Sequence, residues 1–184
     1  MADLFPRVRT FALGYRMAEV DEYFNHARAA YEQPGLSDEL AAIDVRRASF
    51  DLKRGGYSTA AVDSALDRLE VAFAVRVRER FIKEHGHDAW MAELARRAQV
   101  LYPRLRRPAG ERFAAPGTLH TGYDRAEVDA ALDRLTAFFD QGRPLTAEDV
   151  RSLTFKRRRA WGAYEERVVD AYLARTVDIL LGAA

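Results

Sequence analysis

The chain has no cysteine, and only three of its 29 basic residues are lysines: Lys53, Lys83 and Lys156. The missing cysteine excludes disulfides, thiol catalysis and thiolate metal sites, and it leaves the redox compartment open. No long apolar run is present. Stretches such as "VAFAV" at 71–75 fall far short of the roughly 20 residues that span a bilayer. The opening "MADLFPRVRTFALGYR" carries Arg7 and Arg9 but lacks the apolar core of a signal peptide, so a cytoplasmic location is expected. Charge of one sign is lacking too. The formal net charge is +1, so there is no global electrostatic pull toward nucleic acid or anionic membrane. Hydrophobic residues at 48% and charged residues at 31% give the balance of a folded globular protein of 184 residues.

What the chain does have is repetition, the feature that most constrains a fold. "GYDRAEVDAALDRL" (122–135) restates "GYSTAAVDSALDRL" (56–69). A third version, "GYRMAEVDEYFNHA", occupies 14–27, and a worn fourth, "AYEERVVDAYLART", occupies 163–176. Each has a Tyr, a Val five residues on, then an Asp. Tyr15 recurs as Tyr123 at an offset of 108, and Tyr57 as Tyr164 at an offset of 107. Copies one and three have a Phe ten residues ahead of the Tyr, Phe5 and Phe113. Copies two and four share a longer lead-in, "DVRRASF" at 44–50 and "DVRSLTF" at 149–155. The order is A-B-A′-B′. The expected division is 1–85 for the first pair (motifs near 5–31 and 36–83), 86–109 for a helical connector, and 110–184 for the second pair (motifs near 113–140 and 144–182).

Val62, Ala65, Leu66, Leu69 and Phe73 fall at helical spacing, as do Val128, Ala131, Leu132, Leu135 and Phe139. Asp124 with Glu127 three residues on makes a capping pair. Ser58 is a weaker cap, and Arg16 marks its helix start poorly. The Asp-Val-Arg lead-ins predict short helices, and the alternation over 50–53 permits a short strand before the Gly-Gly turn. Gly86 interrupts a helix, Asp88 caps the next from Ala89 to about Tyr102, and Pro103 and Pro108 end it. Breaks are expected at 33–35, after which "LSDELAAI" leads into copy two, and at 141–144. The fold class is mainly α: short helix, extended loop or short strand, Gly-Tyr turn, longer helix, with small β elements.

Asp21, Asp63, Asp129 and Asp170 are read as architectural. Catalysis needs groups in unlike environments, whereas these recur in equivalent first turns, where an acid is favoured by the helix dipole and can accept backbone or Arg hydrogen bonds. Gly14, Gly56 and Gly122 serve either positive φ or a close chain approach. Tyr15, Tyr57, Tyr123 and Tyr164 are half-buried anchors with satisfied hydroxyls. The His85-Gly86-His87-Asp88 cluster reads as a solvated helix break rather than a zinc site, since His26 and His120 lie elsewhere in the chain. No catalytic constellation stands out, and no cofactor or metal is expected.

The phrase "DVRRASFDLKRGGYSTAAVDSALDRL" resembles the N-terminal domain of the DivIVA family of bacterial cell-division and polarity proteins. The resemblance is carried by Asp44, Phe50, Gly56, Tyr57, Val62, Asp63 and Leu66. It recurs at Asp149, Phe155, Tyr164, Val169, Asp170 and Leu173, with Ala163 in place of Gly. Gly14, Tyr15, Val20 and Asp21, and Gly122, Tyr123, Val128, Asp129 and Leu132, match from Gly-Tyr onward, while their lead-ins depart from the pattern. Four copies in two ordered pairs look like the DivIVA-domain repeat proteins of actinobacteria. The family dimerises through the helix after Gly-Tyr and continues in a coiled coil. No apolar heptads follow the last motif here, so A is expected to pack on B as a pseudo-dimer within one chain.

The resemblance implies a non-catalytic interaction module. Its partners would be proteins of the division or polar-growth machinery, at septum or pole, and the chain would be a monomer or homodimer. In that family an exposed aromatic beside a basic residue contacts membrane. The positions three before each Tyr are Ala12, Arg54, His120 and Trp161, and only Trp161 fits, with Lys156, Arg157, Arg158 and Arg159 upstream. Weak anionic-membrane contact there is set against a solvated basic loop with Trp161 in the core, and the second is preferred. The alternative class is a nucleic-acid-associated helical protein using Arg46, Arg47, Arg104, Arg106, Arg107 and the 156–159 run, which the near-neutral charge disfavours.

Overall fold

The computed structural model describes residues 3–32 and 42–183. The 33–35 break and most of the 36–43 lead-in lie outside the described residues. The chain divides into two compact units, Met1–Glu79 and Arg80–Ala184. Both are mainly helical with small antiparallel sheets.

The first unit contains β1 (Leu13–Tyr15), α1 (Met17–Glu32), α2 (Ala42–Arg46), β2 (Leu52–Arg54) and most of α3 (Thr59–His85). β1 and β2 pair antiparallel with Leu13 opposite Arg54 and Tyr15 opposite Leu52. Two apolar clusters hold the helices together. Val20, Tyr57 and Val62 are buried with Phe5, Phe24 and Leu66 against them. Ala30, Val45 and Phe73 join α1, α2 and α3.

The second unit contains α4 (His87–Gln99), α5 (Tyr102–Leu105), β3 (Thr121–Asp124), α6 (Arg125–Gln141), α7 (Ala147–Arg151), β4 (Arg157–Arg159), β5 (Ala163–Tyr164) and α8 (Glu166–Ala183). β3 lies between β4 and β5, antiparallel to both, with Thr121 opposite Arg159 and Tyr123 opposite Tyr164. Val128, Ala131, Leu132 and Leu135 form the buried stripe of α6 at the spacing the sequence predicts. Asp124 caps α6, accepting from the Glu127 amide at 3.2 Å, and Gly142, at φ 64, ends it in the left-handed conformation. Thr146 and Asp149 cap each other reciprocally at α7.

Three local expectations are corrected. Gly86, at φ 88, breaks the chain between α3 and α4, but it is also the cap position of α4. Asp88 lies within the first turn, and no side-chain cap bond forms there. Pro103 opens α5 instead of ending a helix, because its missing N–H costs nothing in a first turn. The Gly-Tyr pairs at 14–15 and 122–123 lie in strands, not turns.

α4 is fixed to the end of α8 through Trp90, whose indole Nε1–H donates to the Gly182 carbonyl at 2.9 Å while the ring is buried. A Cβ on Gly182 would meet Leu94 Cδ2 at 2.7 Å, so this end of α8 must stay bare. Trp90→Phe keeps most of the apolar surface and loses the bond. The expected cost is about 1 kcal/mol and a melting point lower by a few degrees, read by calorimetry.

Candidate functional site

The recurring Tyr and Asp residues are brought together across motifs, not within them. In the first unit, Tyr15 and Tyr57 exchange both backbone hydrogen bonds, each N–H to the other's carbonyl at 2.9 Å. The two chains cross so closely that a Cβ on Gly14 would lie 2.9 Å from the Gly56 carbonyl carbon, and one on Gly56 would lie 2.8 Å from that of Gly14. Neither glycine has positive φ. Close approach therefore explains them. The positive-φ glycine of the neighbouring turn is Gly55, at 67°.

From that crossing each Tyr side chain reaches the other motif. The Tyr57 hydroxyl donates to Asp21 Oδ1 at 3.0 Å and accepts from the Leu4 amide at 3.1 Å. Phe5 lies edge-on to Tyr57, with centroids 5.5 Å apart. In the reverse direction Tyr15 lies beside Asp63, which helps raise its phenol, and its ring lies 5.4 Å from Phe50. The sequence predicts backbone or Arg partners for these acids. The tyrosine hydroxyls were not foreseen, and the only sequence signal for them is that Tyr and Asp recur in step.

The second unit repeats the constellation. The Tyr164 hydroxyl donates to Asp129 at 3.0 Å and accepts from the Arg112 amide at 3.1 Å, and Phe113 lies edge-on at 5.4 Å. Tyr123 lies beside Asp170, whose charge helps raise its phenol, and packs on Phe155 at 5.2 Å. Here the first pair is sealed. Asp129 is buried and also accepts from the Gly110 amide at 2.7 Å. The buried Arg112 guanidinium donates to the Asp129 carbonyl and to Asp133, and its Nε lies 3.7 Å from Asp129 Oδ1. Val20, Val62, Val128 and Val169 are fully buried beside these pairs.

Burial, as the first cause, raises the phenols of Tyr15, Tyr23, Tyr57, Tyr123, Tyr164 and Tyr172 above their ordinary value. The neighbouring acids add to it for the four motif tyrosines. An unfolded phenol ionises near pH 10. Above that pH the unfolded state holds fewer protons than the folded one, so stability falls as pH rises. Below it the contribution is fully present. In an alkaline titration above about pH 10, phenolate absorbance from these residues is expected to rise together with loss of the helical circular dichroism. Stepwise ionisation with the helix signal intact would contradict this.

The strand pairs end in apolar tips. In the second unit Ala160 donates its amide to the His120 carbonyl, which brings Leu119 and Trp161 to one end; they are 96% and 86% exposed. The placement of Trp161 in the core is thereby corrected. Arg54 stands three residues before Tyr57, whereas Arg159 stands five before Tyr164. The two extra residues make room for a three-residue 3-10 turn, Ala160–Gly162, that lifts the indole outward. In the first unit the same end carries Phe11, 87% exposed, with Leu13 and Arg54 exposed across the strand pair. Phe11 and Leu119 occupy the same place in their repeats, one residue before the positions singled out in the sequence, and were missed for that reason. Three cations of the second tip are already engaged: Lys156 with Glu127 at 3.0 Å, Arg157 with Glu166 at 2.9 Å and Arg158 with Asp124 at 2.7 Å.

His85 stacks on Phe81 at 4.5 Å. Among the described residues no three His, Asp or Glu side chains are grouped to hold a metal, and no helix is long and apolar enough to cross a membrane. No protein-family model, curated protein or solved structure matches the chain.

Proposed function

We propose that this chain is a non-catalytic interaction module of the DivIVA type, in which motif A packs on motif B as a pseudo-dimer twice over, and which works beside an anionic membrane in cell division or polar growth. The observation that carries the reading is the fate of the recurring side chains. Asp21 and Asp129 are each taken up by the Tyr hydroxyl of the other motif in the pair, at 3.0 Å, and Asp63 and Asp170 lie beside Tyr15 and Tyr123. A general base or nucleophile needs an acid left facing substrate, and Asp21 and Asp129 are engaged in docking. Of the arginines weighed for nucleic acid, Arg104 is occupied inside the fold, donating to the Arg112 carbonyl.

The strand-pair tips offer one exposed surface to a partner. Trp161 and Leu119 offer apolar surface to the headgroup boundary, where Trp is favoured. The ion-paired cations behind them add less than the roughly 1 kcal/mol per charge of a free polybasic stretch. The test is co-sedimentation with phosphatidylglycerol vesicles. Wild type is expected to pellet, and a Trp161→Ala, Leu119→Ala variant to stay largely in the supernatant. The binding should fall only in part in about 0.5 M salt. Equal pelleting of the two forms would remove the membrane from the reading.

A further inference from the structure

The two units differ in what lies over one equivalent face, and the difference identifies a docking groove. In the second unit Phe113, Leu132 of α6 and Thr176 of α8 are buried, at 4%, 0% and 0% exposure. Their cover is the α4–α5 segment. Leu101 and Leu105 are buried, the Tyr172 hydroxyl donates to the Leu101 carbonyl at 3.0 Å, and Tyr102 packs on Phe139 at 5.5 Å. Arg104 lies over the Phe113 ring at 4.9 Å.

The repeat offsets place Phe5, Phe24 and Leu69 of the first unit at the positions of Phe113, Leu132 and Thr176. These three are only half-buried. Tyr31, at the position of Phe139, is 43% exposed. Ala65 stands where the second unit has Tyr172, which leaves more room. Together they line an open groove of about 470 Å³, with Asn25, Arg28 and Glu32 on its α1 edge. Its floor is more apolar than the face that is covered: Phe24 replaces Leu132, and Leu69 replaces Thr176. An open apolar floor of this kind marks a binding surface, and helix-in-groove recognition through i and i+4 anchors suits it.

We propose that this groove of the first unit binds a helix from a partner protein with the chemistry of α5 and its cap residue Leu101: leucines at i and i+4, an aromatic at i+1 and an arginine at i+3. The second unit supplies the template, with Leu101, Tyr102, Arg104 and Leu105 seated on the equivalent face. The proposal names the docking site within the interaction-module reading and needs no membrane, so vesicle results leave it untouched.

The test uses the full chain and a labelled peptide of residues 87–107. The peptide is stapled across Ala92 and Arg96, which are solvent-facing in α4, so that its α4 portion is helical when added. Fluorescence anisotropy is expected to show saturable binding. Leu101→Glu with Leu105→Glu in the peptide should abolish it. Ala65→Arg in the protein fills the groove without removing a core side chain and is expected to weaken binding at least tenfold. Asn25→Arg plugs the same groove from α1 and should do likewise; circular dichroism checks that both variants fold. Three results would overturn the proposal: no saturation up to about 1 mM peptide, a binding free energy weaker than about −4 kcal/mol; affinity within twofold of wild type in both plugged variants; or a concentration-dependent dimer of wild type that Ala65→Arg dissolves, which would assign the groove to a second copy.

Discussion

Gly122→Ala is expected to destabilise the second unit strongly. A methyl group there would enter the van der Waals shell of the Tyr164 carbonyl oxygen, lie 2.9 Å from its carbonyl carbon and press on Pro116 Cγ at 3.2 Å. The first two are backbone atoms, and the strand that carries them is fixed by the Tyr123–Tyr164 ladder. No side chain can swing aside to make room. Overpacking of a core costs about 1–3 kcal/mol when side chains can adjust, and here the strands themselves must separate, so a loss at or above about 3 kcal/mol is expected. Against a total stability of about 5–15 kcal/mol, that is a large fraction. Urea unfolding followed by circular dichroism should show a separate, early transition for the mutant. Gly142→Ala gives a contrasting case. It meets no atom within 4 Å, and its φ of 64° makes the strain local to the end of α6, with a cost of about 1 kcal/mol.

Asp129→Ala is the second large effect. The carboxylate is buried and serves the Tyr164 hydroxyl, the Gly110 amide and the Arg112 guanidinium at once. Removing it leaves the guanidinium, only 7% exposed, with Asp133 at the rim as its remaining acid. It also strips the acceptor from a buried hydroxyl and a loop amide. Breaking such a pair from one side costs about 3–5 kcal/mol, because the surviving charge stays desolvated. Asp21→Ala, where the partly buried site shows no such arginine, is expected to cost only about 1–2 kcal/mol. Chemical unfolding of the two variants under one set of conditions checks the order. Equal losses would mean that the Arg112 network adds nothing.

The helices were legible because their information is local. The Val128, Ala131, Leu132, Leu135 stripe, the Asp124 cap and the short helices at the Asp-Val-Arg lead-ins come from spacing within a few residues. Errors arose where a residue type has two local uses. Pro103 can end a helix or begin one, and the turn formed by its neighbours decides; Asp88 can cap or sit in the first turn, and the extended Gly86 decides. The Gly before Tyr carried a true signal with two readings, and only the crossing of two strands selects close approach over positive φ. The site itself was half legible. Recurrence pointed to Tyr and Asp, but their partnership spans 36 residues in the first unit and 35 in the second. No local rule encodes that. The exposure of Trp161 arises from two inserted residues whose effect depends on the strand pair beneath them.

The central claim is that Tyr and Asp recur in order to hold one motif against another. A double-mutant cycle on Tyr57→Phe and Asp21→Ala in the full chain tests it most directly, since both variants leave the second unit intact. If the two side chains act as one contact, the losses are non-additive, with a coupling of about 1–2 kcal/mol. Losses that add to within about 0.3 kcal/mol would show that the hydroxyl and the carboxylate do not support each other, and the account would fail at its base.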